Sequence, residues 1–168
     1  MKVINKIAAA LVLSIPLLVS ASDSPSDFKS KVTWGDFNDF TDVRPNGGPK
    51  GSFHKQVKKS FEKHFAKLAK KLPQGYKLRV KINDLDLAGD VRFGGINEMR
   101  VVKPIYFPKI KFSYVLTDSK GKLINKDDVK LKDMGFMDKI KSGRDGSFYY
   151  DHKLISQWFN KQLLTQIK

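Results

Sequence analysis

The chain has 168 residues, no cysteine, and 32 Lys and Arg against 17 Asp and Glu, a formal net charge of +15 at pH 7. The absence of thiols excludes disulfides, thiol nucleophiles and thiolate metal centres, so a folded domain has to rest on its apolar core. A positive excess of this size attracts anionic partners without choosing among them. Most of it is lysine, with Arg44, Arg79, Arg92, Arg100 and Arg144 as the guanidiniums, and this argues against sequence-specific nucleic-acid reading, which favours the arginine fork.

Lys2 and Lys6 precede an apolar run over residues 7–19, and Val19-Ser20-Ala21 places small residues where a signal peptidase acts. The run is shorter than the roughly 20 residues that span a bilayer. Residues 1–21 are therefore expected to be a cleaved signal peptide, which would send the protein to the periplasm or exterior with no transmembrane anchor. Losing Lys2 and Lys6 lowers the charge from +15 to +13. Residues 22–30 read as a flexible polar tail, and 31–168 as a single domain.

Lys31-Val32-Thr33-Trp34 alternates and predicts a short strand. Pro45, Gly47, Gly48, Pro49 and Gly51 mark a loop. Ser52 is the expected N-cap of a helix through Leu72, in which Phe53, Val57, Phe61, Phe65, Leu68 and Leu72 form one apolar stripe. Pro73 and Gly75 end it. Tyr76, Leu78, Val80 and Ile82 alternate with polar residues as a half-buried strand, and the parity switch at Asp84-Leu85-Asp86-Leu87 predicts a bulge or a change of face before a turn at Ala88-Gly89. Residues 99–102 form a further strand candidate. Ile110, Phe112, Tyr114 and Leu116 lead through Asp118-Ser119-Lys120-Gly121 into Lys122-Leu123-Ile124 as a hairpin. Tyr150, Leu154, Ile155, Trp158, Phe159 and Leu163 recur at helical spacing. The expected fold is α+β, with a largely antiparallel sheet carrying two amphipathic helices on one face. The place of the first strand in the sheet stays open.

Several of these segments form a pattern together. Val32-x-Trp34, Thr41-Asp42-Val43, Leu72-Pro73-x-Gly75-x-x-Leu78, Asp84-x-Asp86-Leu87-Ala88-Gly89, Arg100-Val101-Val102, Pro108-x-Ile110-x-Phe112-x-Tyr114-x-Leu116, Leu131-x-Asp133 and Trp158-Phe159 resemble, in order and spacing, the domain of unknown function 3016 family. The resemblance runs from about Val32 to Phe159. It implies a small exported protein of a Gram-negative bacterium and supplies no chemistry.

Asp84, Asp86 and Asp90 are the candidate metal ligands. Positions i and i+2 of a strand share a face, and Ca²⁺ takes such oxygens. The alternative is that these carboxylates cap turns and meet Arg79, Arg92, Arg100 or lysines on neighbouring strands. His54 and His64 lie about 80° apart on the helix, which does not suit a helical metal pair, and are expected to be satisfied core or boundary residues. His152 is expected to cap its helix or face solvent. Lys55, Lys59, Lys63, Lys67 and Lys70, in a face opposed only by Glu62, are the candidate anion-binding ridge. No nucleophile, base and orienter assemble in the sequence. The leading expectation is a non-enzymatic binding or accessory module without cofactor, touching an anionic envelope component or an acidic partner protein. A metal-dependent hydrolase built on Asp84, Asp86 and Asp90 and a structural subunit of an envelope complex are the alternatives. Oligomeric state is left open.

Overall fold

A computed structural model describes residues 28–94, 97–138 and 146–167; the expected signal peptide and most of the polar tail lie outside them. The elements are β1 (Ser30–Trp34), α1 (Lys50–Ala69), β2 (Lys77–Asp86), β3 (Asp90–Gly94), β4 (Asn97–Val101), β5 (Lys109–Thr117), β6 (Leu123–Lys132) and α2 (Tyr149–Trp158). The main sheet runs β1-β2-β5-β6, while β3 and β4 form a separate antiparallel hairpin. This is the expected α+β arrangement. The first strand finds its place at the edge, parallel to β2, because α1 returns the chain to the end of the sheet from which β1 began. Beyond β1, Gly35 N–H donates to the Ile82 carbonyl and Asp42 bridges Asp86, so the chain hugs β2 along its length.

Alternation sorts the sheet into two faces. Leu78, Val80, Ile82 and Leu85 of β2 stand beside Leu116, Tyr114, Phe112 and Ile110 of β5. Val57, Phe61, Phe65 and Leu68 of α1, with Leu154, Ile155 and Trp158 of α2, pack onto this layer in one core. Edge-to-face contacts of Phe112 with Phe65 and Trp158 tie the helices to the middle of the sheet. The register slips between Ile82 and Asp84, the expected bulge, which keeps Leu85 inside while Asp84 and Asp86 pair with Lys111 and Lys109.

Several expected boundaries move. Helix α1 begins at Lys50 with Pro49 as N-cap and no side-chain cap, so Ser52 lies inside the first turn. The Pro49 carbonyl instead accepts the N–H groups of Ser52 and Phe53. The helix stops at Ala69 and tightens into a turn that still buries Leu72. Strand β6 extends to Lys132; only Val129 along it is buried, so its pattern is nearly silent. The final helix passes into one π-helical turn over Phe159–Leu163, and both of those end residues reach the core. It starts from Phe148, which holds a left-handed backbone at φ 65° while its ring packs against Phe53 and Phe61. Gly89 has φ 90°, and a Cβ there would lie 2.9 Å from the Val101 carbonyl oxygen, so only glycine lets β4 come this close.

Candidate functional site

The three candidate metal ligands point to different cations. Asp84 accepts hydrogen bonds from the Thr41 N–H and hydroxyl and pairs with Lys111 at 2.8 Å. Burial would raise its carboxyl, but these donors outweigh burial and hold it below the usual range. Asp86 pairs with Lys109 at 2.7 Å. Asp90 lies across the turn, between Arg44 at 2.6 Å and Arg92 at 3.3 Å. Among the described residues no three His, Asp or Glu side chains are placed to hold a metal ion. Of the two readings of these aspartates, the arrangement matches the ion-paired one.

Asp42 is the centre of a denser network. Arg100 reaches its two carboxylate oxygens at 2.9 and 3.4 Å and also donates to the carbonyls of Leu87, Gly89 and Arg44. Both side chains are nearly closed to solvent, 14% exposed for Arg100 and 11% for Asp42. Burial raises the Asp42 carboxyl, yet the Arg100 bonds and the Arg44 N–H overcome it and keep it ionised below its ordinary value. The network locks the β3–β4 hairpin to the end of β2.

Histidines 64 and 152 meet between the helices. Their rings stack at 4.4 Å between centroids and 6° between planes. His64 Nε2 lies 2.9 Å from the Ser156 hydroxyl and His152 Nε2 lies 3.3 Å from the Ser60 hydroxyl, so each helix contributes one serine and one histidine at i,i+4 spacing to a crossed pair of bonds. Desolvation lowers both imidazoles to about 4, helped by Lys67 and Lys71 near His64 and by His64 beside His152. The expectation that His152 caps its helix or faces solvent is thus corrected. It is half-buried, because the opposite helix needs a polar partner there. His64 is satisfied as expected; His54 is not, since its Nε2 is buried with no hydrogen-bond partner among the described residues.

Next to this pair, a cleft of about 310 Å³ opens beneath Phe53, Gln56, Arg100 and Tyr149 and reaches Asp151. Asp151 is 2% exposed and accepts the Ala88 N–H at 3.2 Å. Desolvation pushes its carboxyl up to about 7. The sequence offered little warning, since an Asp in a first helical turn ordinarily faces solvent at the positive end of the dipole.

The lysine ridge is present. Lys55, Lys59, Lys63 and Lys67 on α1, and Lys70 at its C-cap, are all exposed, and none makes an ion pair among the described residues. Glu62, the acid in the row, accepts a hydrogen bond from Trp34 Nε1. A second basic surface was not foreseen. The face of the sheet opposite the helices carries Lys31, Lys77, Arg79, Lys81, Lys126, Lys130 and Lys132, and its residues stay outside the core. The signal lay in the polar positions of each strand, but which strands neighbour one another decides whether such residues add up.

The family model described as a protein of unknown function, DUF3016, matches residues 29–161. No curated protein and no solved structure matches the chain. The matched span takes in every strand and α2, together with the Asp42–Arg100 network and both basic faces. The chain belongs to the DUF3016 family.

Proposed function

We propose that the protein is an exported, non-enzymatic binding module of the cell envelope that docks on an anionic membrane surface through α1. The observation that carries this reading is the ridge of Lys55, Lys59, Lys63, Lys67 and Lys70, exposed and without ion pairs among the described residues. The five Cα positions span about 120° of the helix, so all five ammonium groups can face one surface while the apolar stripe stays in the core. Contact is electrostatic and peripheral, because Phe61, Phe65 and Leu68 are committed to the sheet.

Cosedimentation with vesicles containing phosphatidylglycerol, at low and moderate salt, tests this. Binding is expected to fall with salt, and Lys59→Glu/Lys63→Glu/Lys67→Glu is expected to weaken it by about a hundredfold, at roughly 1 kcal/mol for each lysine near an anionic surface. Unchanged binding by the triple variant would remove the proposal.

One observation favours a second reading, a structural subunit of an envelope complex. The β3–β4 arm and the loop after it expose Phe93, Ile105 and Met99, at 84%, 73% and 48%. On this reading light scattering gives a stable oligomer that Phe93→Ser/Ile105→Ser returns to monomer; a wild-type monomer at high concentration counts against self-association.

A further inference from the structure

The open face of the sheet carries a different chemistry from the helix ridge. Along β2, Lys77, Arg79 and Lys81 recur at every second residue, about 6.7 Å apart by strand geometry. The register sets Lys31 of β1 beside Arg79, and Arg79 beside Val115 with Lys126 beyond it, so one rung across four strands holds three cations. The next rung reads Thr33, Lys81, Ser113 and Asp128. Lys130 and Lys132 continue β6 opposite Lys111 and Lys109. Those two lysines are already paired with Asp84 and Asp86, whereas Lys31, Lys77, Arg79, Lys81, Lys126, Lys130 and Lys132 have no ion pair among the described residues. Of these seven cations, Lys130 and Lys132 continue along the β6 edge toward the paired end, and the other five, Lys31, Lys77, Arg79, Lys81 and Lys126, gather at the opposite end of the face. A shallow depression of about 220 Å³ lies there, lined by Lys31, Thr33, Arg79, Lys81, Ser113 and Val115. The half-buried ring of Phe28 borders it, with Arg79, Lys31 and Lys77 at 5.7, 5.8 and 5.9 Å from its centroid.

We propose that this open sheet face is a second binding site, which takes an extended single strand of nucleic acid without regard to sequence. Charge complementarity selects a polyanion, and the shape of the face selects a flexible one. A twisted sheet is saddle-shaped, so it cannot press seven cations against a flat bilayer at once, while a flexible strand can follow the twist. Cations at every second residue of β2 suit the repeat of phosphates along an extended strand, and the Ser113 hydroxyl, which accepts from the Asn83 amide, can donate its proton to a phosphate oxygen between them. Phe28 offers one base a stacking surface, and the rest of the face reads backbone only. Lysine dominates the site, as suits phosphate contact without base recognition.

Fluorescence anisotropy of the purified protein with a labelled oligothymidylate of about 20 nucleotides tests the proposal over a salt series. The expected result is salt-dependent binding in which Arg79→Glu/Lys81→Glu/Lys126→Glu loses at least about tenfold in affinity and lowers the log–log salt slope by roughly 2, about 0.7 for each lost phosphate contact. Lys59→Glu/Lys63→Glu/Lys67→Glu on α1, with the same change in net charge, is expected to leave this binding within about twofold, while removing vesicle binding. The two triple variants thereby separate failure here from failure of membrane docking. All six positions are exposed, and thermal melting of each variant checks that the fold is kept. Phe28→Leu is expected to weaken oligothymidylate and to leave inorganic polyphosphate unaffected. Absence of salt-sensitive binding, equal losses from the two triple variants, or binding to polyphosphate and acidic polysaccharide but not to oligothymidylate would each overturn the assignment.

Discussion

Arg100→Met is expected to lose about 3–5 kcal/mol of stability in urea unfolding at pH 7, the range for breaking a buried ion pair by removing one partner. The substitution leaves the stem volume nearly unchanged but strands the Asp42 carboxylate and takes the guanidinium from the carbonyls of Leu87, Gly89 and Arg44. Arg44 still touches Asp42 at 3.2 Å, but its side chain is 61% exposed, so water screens what it can return. Arg100→Lys should recover little, because a single ammonium cannot reach two carboxylate oxygens and three carbonyls together. Adding Asp42→Asn to Arg100→Met should restore part of the loss by removing the uncompensated charge, a coupling that a double-mutant cycle reads directly. A loss below about 1 kcal/mol for Arg100→Met would mean that the hairpin is held by its other contacts, and that this network only decorates it.

The second large effect concerns pH, and two opposing groups set its sign. His64 and His152 have folded pKa values lowered by desolvation to about 4, against an ordinary 6.5. Unfolded chains bind those protons as pH falls below 6.5 and the native protein does not, so the stability these residues contribute is complete above 6.5 and is lost toward 4. Asp151 works the other way. Its carboxyl is raised to about 7 from 3.8, so native protein keeps a proton that the unfolded chain has released, and this contribution falls as pH rises from 3.8 through 7. His64 and His152, joined in the same direction by His54, whose imidazole burial also lowers, outweigh the one aspartate and leave a net gain in stability from pH 4 to 6.5. One proton corresponds to at most about 1.4 kcal/mol per pH unit, and partial exposure of the rings brings the total over this window to about 2 kcal/mol. Asp42 and Asp84, with lowered values, act below 3.8 and leave the window clear. Asp151→Asn should steepen the rise and His152→Gln should flatten it, as read from urea midpoints at pH 4, 5, 6 and 7. An unaltered slope in Asp151→Asn would show that this carboxyl is ionised in the folded protein throughout.

Much of the architecture was legible because it rests on local periodicity. The α1 stripe of Val57, Phe61, Phe65 and Leu68 is core in the structure, and the parity switch at Asp84 is the bulge of β2. The Asp118–Gly121 turn joins β5 to β6. Strand β6 beyond Ile124 was hidden because an edge strand with Lys126, Asp127 and Asp128 in solvent carries no alternation. The candidate sites divide along the same line. The lysine ridge was readable, since helical spacing alone puts its members on one surface. Pairing Asp84 with Lys111 and Asp90 with Arg44 required neighbours 27 and 46 residues away.

Composition and spacing by themselves determined that this chain is strongly basic, lacks thiols, and forms two amphipathic helices over alternating strands, because charge is additive and each amphipathic period is local. Tertiary structure alone decided that β1 lies parallel at the edge, that His64 stacks on His152, that Asp151 is buried, and that cations from β1, β2 and β6 share one face that none of the described elements covers. Those facts depend on which segments become neighbours, and strand pairing and helix crossing are settled by the joint packing of the whole core.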